Sequence, residues 1–256
     1  MAFMLERAGI AAMSTGNWRS ALQCAREVDE LRHRHELEEA QRVAFDGLEI
    51  FESDPDLLIA LGRVWLLDHS PLLASSAFTT AAYIARDNEI PVAWQIAALS
   101  RQRKYPEAIR LGTAALAPDR FPDSVPIRVA LGRVLLDFSQ PDRAEHHLSE
   151  AVRMAPGNPD AANWWCACLA ALFHWDAAEQ EAEAAIVRYQ GNTRGTALMR
   201  YRLGRIHLDN HRLGQAISCF DAVLRDMPEH LRAMEWRITA LRGTGRPEDL
   251  KLASSK

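Results

Sequence analysis

One phrase of the sequence occurs three times in this chain. LGRVLLD begins at Leu131, and close copies, LGRVWLLD and LGRIHLD, begin 70 residues before it at Leu61 and 72 residues after it at Leu203. Self-similarity at a fixed period is typical of proteins built from stacked repeats, in which each repeat is one supersecondary unit. The spacing therefore predicts an array of repeats rather than a single globular core.

Half of the observed spacing is close to 34 residues, and the chain divides into frames of that length. The six full frames are 21–54, 55–88, 89–122, 125–158, 159–192 and 197–230, and a partial frame begins at residue 231. The twentieth position of every full frame is alanine: Ala40, Ala74, Ala108, Ala144, Ala178 and Ala216. This agreement in register favours a 34-residue repeat.

Each frame contains two stretches of helical periodicity separated by a break. In the fourth frame, apolar residues recur at helical spacing in IRVALGRVLLDF, the segment SQPD interrupts the pattern, and RAEHHLSEAVRM resumes it. Each frame is therefore predicted to form a pair of antiparallel helices. Small residues at positions 8 and 20 let the two helices approach closely.

This pattern resembles the tetratricopeptide repeat. The frame 197–230 carries most of the family's signature in Leu203, Gly204, Ala216, Phe220 and Pro228, although Val223 stands where a small residue is expected. The resemblance implies an all-α fold, a right-handed α-solenoid of about six to seven antiparallel helix pairs. It also implies an N-terminal capping helix over residues 1–20, six repeats over 21–230, and a partial repeat with a C-terminal cap over 231–256.

Tryptophan and arginine alternate from frame to frame. Trp94, Trp164 and Trp236 each occupy position 6 of a frame, and each follows by 31 residues an arginine at position 9 of the preceding frame: Arg63, Arg133 and Arg205. In the family's geometry these two positions are neighbours on adjacent first helices. We therefore predict that each guanidinium lies within about 6 Å of its indole, as in a cation–π contact.

The resemblance also places particular positions of the first helices on the concave side of the solenoid. The residues at those positions are Ile59, Arg63, Trp94, Arg101, Val129, Arg133, Asn163, Trp164, Tyr201, Arg202, Arg205 and Trp236. Arginine and aromatic residues are enriched at binding surfaces, so this set predicts a binding groove.

Local ion pairs are the alternative role for two of these arginines. Arg133 and Arg205 each precede an aspartate by four residues, Asp137 and Asp209, at a spacing that forms pairs on a helix surface. Arg63 has Leu67 at that offset and no such local partner, which makes it the arginine predicted to contact a ligand.

Some members of the family hold the C-terminal carboxylate of a chaperone peptide with a set of lysine, asparagine and basic residues. The corresponding positions from the second frame onward hold Ile59, Arg63, Trp94, Pro126 and Ala130. That carboxylate clamp is absent here, so binding of chaperone tails is not predicted.

Composition limits the partners that the chain is expected to bind. A formal net charge of -4 argues against a nucleic-acid or anionic-membrane ligand, because both require clustered positive charge. The N-terminus has no basic leader, and the longest uncharged, mostly apolar run, 161–175, is too short to span a bilayer. We expect a cytoplasmic location, reduced cysteines and, from the preference for Arg over Lys, a bacterial source.

Catalytic and metal-binding motifs are weak or missing in the sequence. His207 and His211 have the spacing of a metal pair on a helix, but His211 falls in a predicted turn, so neither a metal nor a cofactor is predicted. The sequence favours a non-enzymatic scaffold or adaptor that binds a peptide segment of a protein partner in its groove. The alternative is a pathway enzyme or small-molecule sensor with a site inside the solenoid bore, and the oligomeric state stays open.

Overall fold

A computed structural model describes residues 18–246, 248 and 249. Over this part of the chain it contains thirteen α-helices and no β-strand. The helices are α1 (Ala21–His33), α2 (Leu37–Ile50), α3 (Pro55–Leu67), α4 (Pro71–Ile84), α5 (Ile90–Arg101), α6 (Tyr105–Ala115), α7 (Val125–Asp137), α8 (Pro141–Met154), α9 (Pro159–Ala171), α10 (Trp175–Arg188), α11 (Thr193–Asp209), α12 (Leu213–Asp226) and α13 (Leu231–Thr244). Each full frame holds two of them.

The helices belong to two compact units, which divide between Phe138 and Ser139. In unit one, the first helices α1, α3, α5 and α7 contact one another in succession, and each of the second helices α2, α4 and α6 packs between two first helices. The large buried side chains include Leu61, Trp65 and Phe78. A second helix that contacts its own repeat and the next is the packing expected of a solenoid-like array.

Unit two repeats the arrangement with α8 to α13. Its first helices α9, α11 and α13 contact one another in succession, α10 lies between α9 and α11, and α12 lies between α11 and α13. Many of its core positions are small, and larger side chains such as Met199 and Phe220 fill the remaining space. The all-α, solenoid-like arrangement predicted from the sequence is confirmed.

Proline and short polar residues fix where several first helices begin. Asp54 precedes Pro55, and its carboxylate accepts hydrogen bonds from the backbone N–H groups of Asp56 and Leu57. Asn158 precedes Pro159 and caps α9 in the same way. A capping side chain satisfies amide donors that have no partner inside the helix, and proline tolerates the first helical turn because it has no N–H to lose.

The turn between first and second helices has a backbone conformation that the sequence did not predict. Position 15 of each full frame has a positive φ of 53° to 61°, although none of these residues is glycine. They are His35, His69, Arg103, Ser139, Phe173 and His211. In five of these turns, those other than the one at Ser139, the following amide closes the turn, as when His174 donates to the carbonyl oxygen of Leu169 at 2.9 Å. This is a Schellman cap, which usually employs glycine because an L side chain is disfavoured there.

Two predicted caps fall on residues beyond those the structure describes. The helix expected over residues 1–20 lies outside the described residues up to residue 17, and residues 18–20 are not helical. The polar C-terminal cap lies outside them at 247 and 250–256. Within the described part of the chain, no helix is long and apolar enough to cross a membrane.

The four cysteines are predicted to resist alkylation in the folded protein. All are free thiols, and burial raises the pKa of Cys24, Cys166 and Cys168 to about 12 and that of Cys219 to about 11. Because the thiolate is the reactive form, we expect iodoacetamide at pH 8 to modify the native chain at least about 100-fold more slowly than the urea-unfolded chain. Mass spectrometry of the digested protein measures each site. Equal rates in the two states at Cys24 would contradict the buried position.

Candidate binding surface of the first helices

The first predicted arginine–tryptophan pair is present in unit one. The guanidinium carbon of Arg63 on α3 lies 5.2 Å from the ring centroid of Trp94 on α5, within the expected 6 Å. Trp94 also stacks on Phe78, with centroids 6.1 Å apart and ring planes 22° from parallel. The indole therefore contacts both the neighbouring first helix and the core, so part of its role is to hold successive repeats together.

Arg63 has a carboxylate partner that a search along its own helix could not find. Its Nη1 donates to Oδ2 of Asp29 on α1 at 2.8 Å. Asp29 occupies position 9 of the first frame and Arg63 position 9 of the second, so stacking of the repeats brings the two side chains together. Ligand contact was predicted for Arg63 because Leu67 stands four positions on, but Arg63 has an ion-pair partner in the preceding repeat. About a quarter of the Arg63 side chain stays exposed, at 26%.

The other candidates of unit one are dispersed. Ile59 is buried in the core, whereas Arg101 is exposed at the end of α5 and Val129 is half-buried on α7. Asp137, the local partner considered for Arg133, accepts a hydrogen bond from Ser100 at 2.9 Å. The predicted contact of Arg133 with Trp164 joins residues of the two units and stays a prediction.

A second predicted pair lies in unit two. The guanidinium carbon of Arg205 on α11 is 3.7 Å from the ring centroid of Trp236 on α13. Its Nη2 is also 3.7 Å from Oδ1 of Asp209 on the same helix. Arg205 therefore makes both the cation–π contact and the local ion pair that the sequence presented as alternatives. The two contacts hold the guanidinium in one orientation, with 25% of the side chain exposed.

Trp164 has an arginine neighbour that the sequence analysis did not pair with it. The guanidinium carbon of Arg202 on α11 is 5.5 Å from the Trp164 ring centroid, and its Nε donates to Oδ1 of Asn163 at 2.9 Å. Trp164 and Arg202 both occupy position 6, in consecutive frames, and this shared register is the signal that could have identified the contact. Three candidates thus form one cluster on the first helices of unit two.

Sequence comparison relates part of the chain to a known family. A family model of the tetratricopeptide repeat matches residues 129–193 and 201–249. The matched residues, less than half of the chain, are tetratricopeptide repeats. No curated protein shows significant sequence similarity to the chain.

Several solved structures resemble the chain at low sequence identity. A thermophilic tetratricopeptide-repeat protein of Thermus thermophilus aligns with a TM-score of 0.64 at 17% identity, over 73% of this chain and 99% of that one. The pilF protein of Pseudomonas aeruginosa aligns with a TM-score of 0.54 at 22% identity, over 85% and 96%. Yeast Tom70 aligns with a TM-score of 0.60 at 15% identity, over 85% of this chain and 47% of that one. These similarities establish the fold, and tetratricopeptide repeats are generally scaffolds for protein–protein interaction.

One candidate of unit two belongs to the core rather than to an open surface. Tyr201 is buried, with 9% of the residue exposed. Its ring centroid lies 6.1 Å from that of Phe220 and 5.3 Å from that of His230. Tyr201 therefore contributes packing between α11 and the second helix of its repeat, while Arg202 and Arg205 on the same helix remain partly exposed.

The histidine pair considered as a metal site is divided between two environments. His207 is buried in α11, where its Nε2 lies 3.9 Å from Oε1 of Glu179, and burial lowers the pKa of the imidazole. Glu179 also accepts from Arg212 at 2.6 Å. His211 is exposed in the turn that follows α11. Among the residues that the structure describes, no three His, Cys, Asp or Glu side chains group in a way that could hold a metal ion.

Proposed function

We propose that this protein is a non-enzymatic scaffold or adaptor that binds a peptide segment of a protein partner on the partly exposed faces of its first helices. The observation that supports the proposal is the series of guanidinium–indole contacts, Arg63 with Trp94, Arg202 with Trp164 and Arg205 with Trp236. Such pairs combine a flat apolar face with fixed hydrogen-bond donors. Arginine and tryptophan carry much of the binding energy in protein interfaces.

The chemistry of these pairs suits a peptide better than a substrate that must react. None of the three pairs contains a nucleophile or a general base, and each pair holds its arginine in place by stacking. A held guanidinium loses less conformational entropy when a partner binds than a mobile one does. A cytoplasmic location and the absence of a nucleic-acid partner are parts of the same proposal, motivated by the net charge of -4.

Selection of a displayed random-peptide library against the whole chain tests the proposal. Enriched peptides are then synthesised, and their affinities are measured by fluorescence anisotropy for the wild type and for R205Q, W164A and R153Q. Arg153 is the matched control because it pairs with Glu150 on the second helix α8, whereas the stacked pairs belong to first helices, and 69% of its side chain is exposed. We expect R205Q and W164A to weaken binding at least about 10-fold, which is the effect of losing one good interfacial contact, and R153Q to have no effect.

Thermal melting of each variant separates lost contacts from lost folding. If W164A unfolds at the wild-type temperature but no longer binds, Trp164 contacts the peptide; if it binds normally and melts earlier, the indole only joins repeats. Peptides that bind R205Q and W164A as tightly as the wild type would contradict the proposed surface. A library that yields no peptide, together with a small molecule retained by the purified chain in native mass spectrometry, would favour the sensor alternative.

A further inference from the structure

A groove in unit two lies between α9 and α11 and continues over the turn that joins α9 to α10. Its volume is about 520 Å³, and it is open to solvent. Its floor is formed by three small side chains of α9, Ala167, Ala170 and Ala171, and the rings of Phe173 and Trp175 form one wall. We call this feature the α9–α11 groove. A floor of methyl groups beside aromatic rings fits an apolar side chain.

Phe173 is the unusual residue of the aromatic wall. It is 74% exposed and has a φ of 61°, and its ring lies edge-on to Trp175 with centroids 5.9 Å apart. The left-handed conformation disfavours a bulky side chain, and exposing an aromatic ring to water is also unfavourable. The equivalent turns elsewhere carry histidine, arginine or serine. Holding an aromatic side chain at such a position costs conformational free energy, and strained conformations of this kind cluster at binding sites.

Arg202 lines the α11 side of the groove and lacks a carboxylate partner. Its Nε donates to the neutral side chain of Asn163, and its guanidinium lies near the face of Trp164. Within residues 18–246, 248 and 249, Arg202 forms no ion pair, whereas its neighbours Arg200 and Arg212 each bind a carboxylate. Burial lowers the pKa of Arg202 to about 10, so the group remains charged at neutral pH. A partly desolvated cation without an anion is stabilised by a ligand that supplies one.

The charges around the groove define how many negative groups it fits. Arg202 and Arg205 contribute two positive charges, and Asp209, which lies 3.7 Å from Arg205, contributes one negative charge. The α11 side of the groove therefore has one positive charge in excess. It matches a single carboxylate, while Asp209 would repel a second one.

We propose that the α9–α11 groove binds an internal acidic residue of the partner segment together with an adjacent aromatic or large aliphatic residue. The carboxylate lies on the guanidinium of Arg202, and the apolar side chain lies on the alanine floor against the ring of Phe173. This inference rests on the proposed function and specifies the peptide class that unit two selects. It requires a side-chain carboxylate and no chain terminus.

Titration of the ¹⁵N-labelled full chain with capped hexapeptides tests the inference, because each tryptophan gives one indole N–H resonance. The probe is acetyl-Gly-Ser-Asp-Phe-Ser-Gly-amide, and the controls replace Asp by Asn or Phe by Ala. We expect the probe to shift the Trp164 and Trp175 resonances saturably and to leave Trp65 unchanged, because Trp65 is buried in unit one and its indole donates to Gln41. Each control peptide is expected to bind at least about 10-fold more weakly, since each lacks one of the two anchoring groups.

Two substitutions separate binding from folding. R202Q removes the cation. It is expected to weaken binding of the probe at least about 10-fold while the circular dichroism spectrum stays unchanged. F173G removes the ring and also relieves the left-handed backbone, so it is expected to lose binding without a lower melting temperature. H69G is the matched control, because His69 has the same conformation at the equivalent turn of unit one, with a φ of 53°. It should bind the probe as the wild type does.

Several results would overturn the inference. The inference is wrong if the Asn peptide binds as tightly as the Asp probe. It is also wrong if F173G binds the probe as tightly as the wild type, or if millimolar probe shifts no indole resonance. Tighter binding of the free acid Gly-Ser-Gly-Phe than of the capped probe would assign the carboxylate to a chain terminus instead. If library-selected peptides shift Trp94 but neither Trp164 nor Trp175, the proposed function stands and this site does not. If they shift no indole at all, both proposals fail.

Discussion

Replacing Gly62 by leucine is expected to lower the free energy of unfolding by about 3 kcal/mol. A Cβ atom added at Gly62 on α3 would lie 2.5 Å from Cε1 and 2.7 Å from Cζ of Phe78, whose ring is fully buried. The ring is 0% exposed and stacks on Trp94, so moving it away from α3 disturbs that contact. A leucine therefore forces α3 and α4 apart, and urea denaturation followed by circular dichroism measures the loss.

G157L is the matched control for that substitution. A Cβ atom at Gly157 meets nothing within 4 Å, so the control should change stability by no more than about 0.5 kcal/mol. An unchanged midpoint for G62L would mean that α3 and α4 do not approach each other as the structure shows.

Replacing Phe220 in unit two by alanine is expected to lower the free energy of unfolding by about 4 kcal/mol. Phe220 on α12 is fully buried, its ring lies 6.1 Å from that of Tyr201, and its edge is the surface that a Cβ at Gly204 would meet at 2.8 Å. Removing the ring leaves a cavity between α11 and α12 that small neighbours cannot fill. The cost combines the lost burial of the ring with the lost contacts around the cavity.

F173A is the matched control, since it removes the same ring from a site where the residue is 74% exposed. It should change the free energy of unfolding by less than about 0.5 kcal/mol in the same urea titration. Equal losses for F220A and F173A would contradict the assignment of Phe220 to the core and Phe173 to the surface.

The two positions occupied by Gly62 and Phe78 show why the fold could be predicted from the sequence. A glycine at position 8 and a ring at position 24 of the same frame are complementary, and Gly204 with Phe220 repeats the relation. Helical periodicity and a constant register are local properties, so a single sequence contains them. The Arg63–Trp94 and Arg205–Trp236 contacts were predictable for the same reason, because each spans one repeat at a fixed offset.

The sequence by itself determined the helices, their pairing and the positions that lie on the first helices. Only the tertiary structure decided three further placements: Asp29 binds Arg63, Arg202 stacks on Trp164, and Tyr201 turns into the core. It also revealed the left-handed turn at Phe173. The physical reason is that a repeat pattern fixes backbone register, whereas the direction of a long side chain depends on the space and the charges that neighbouring repeats leave for it.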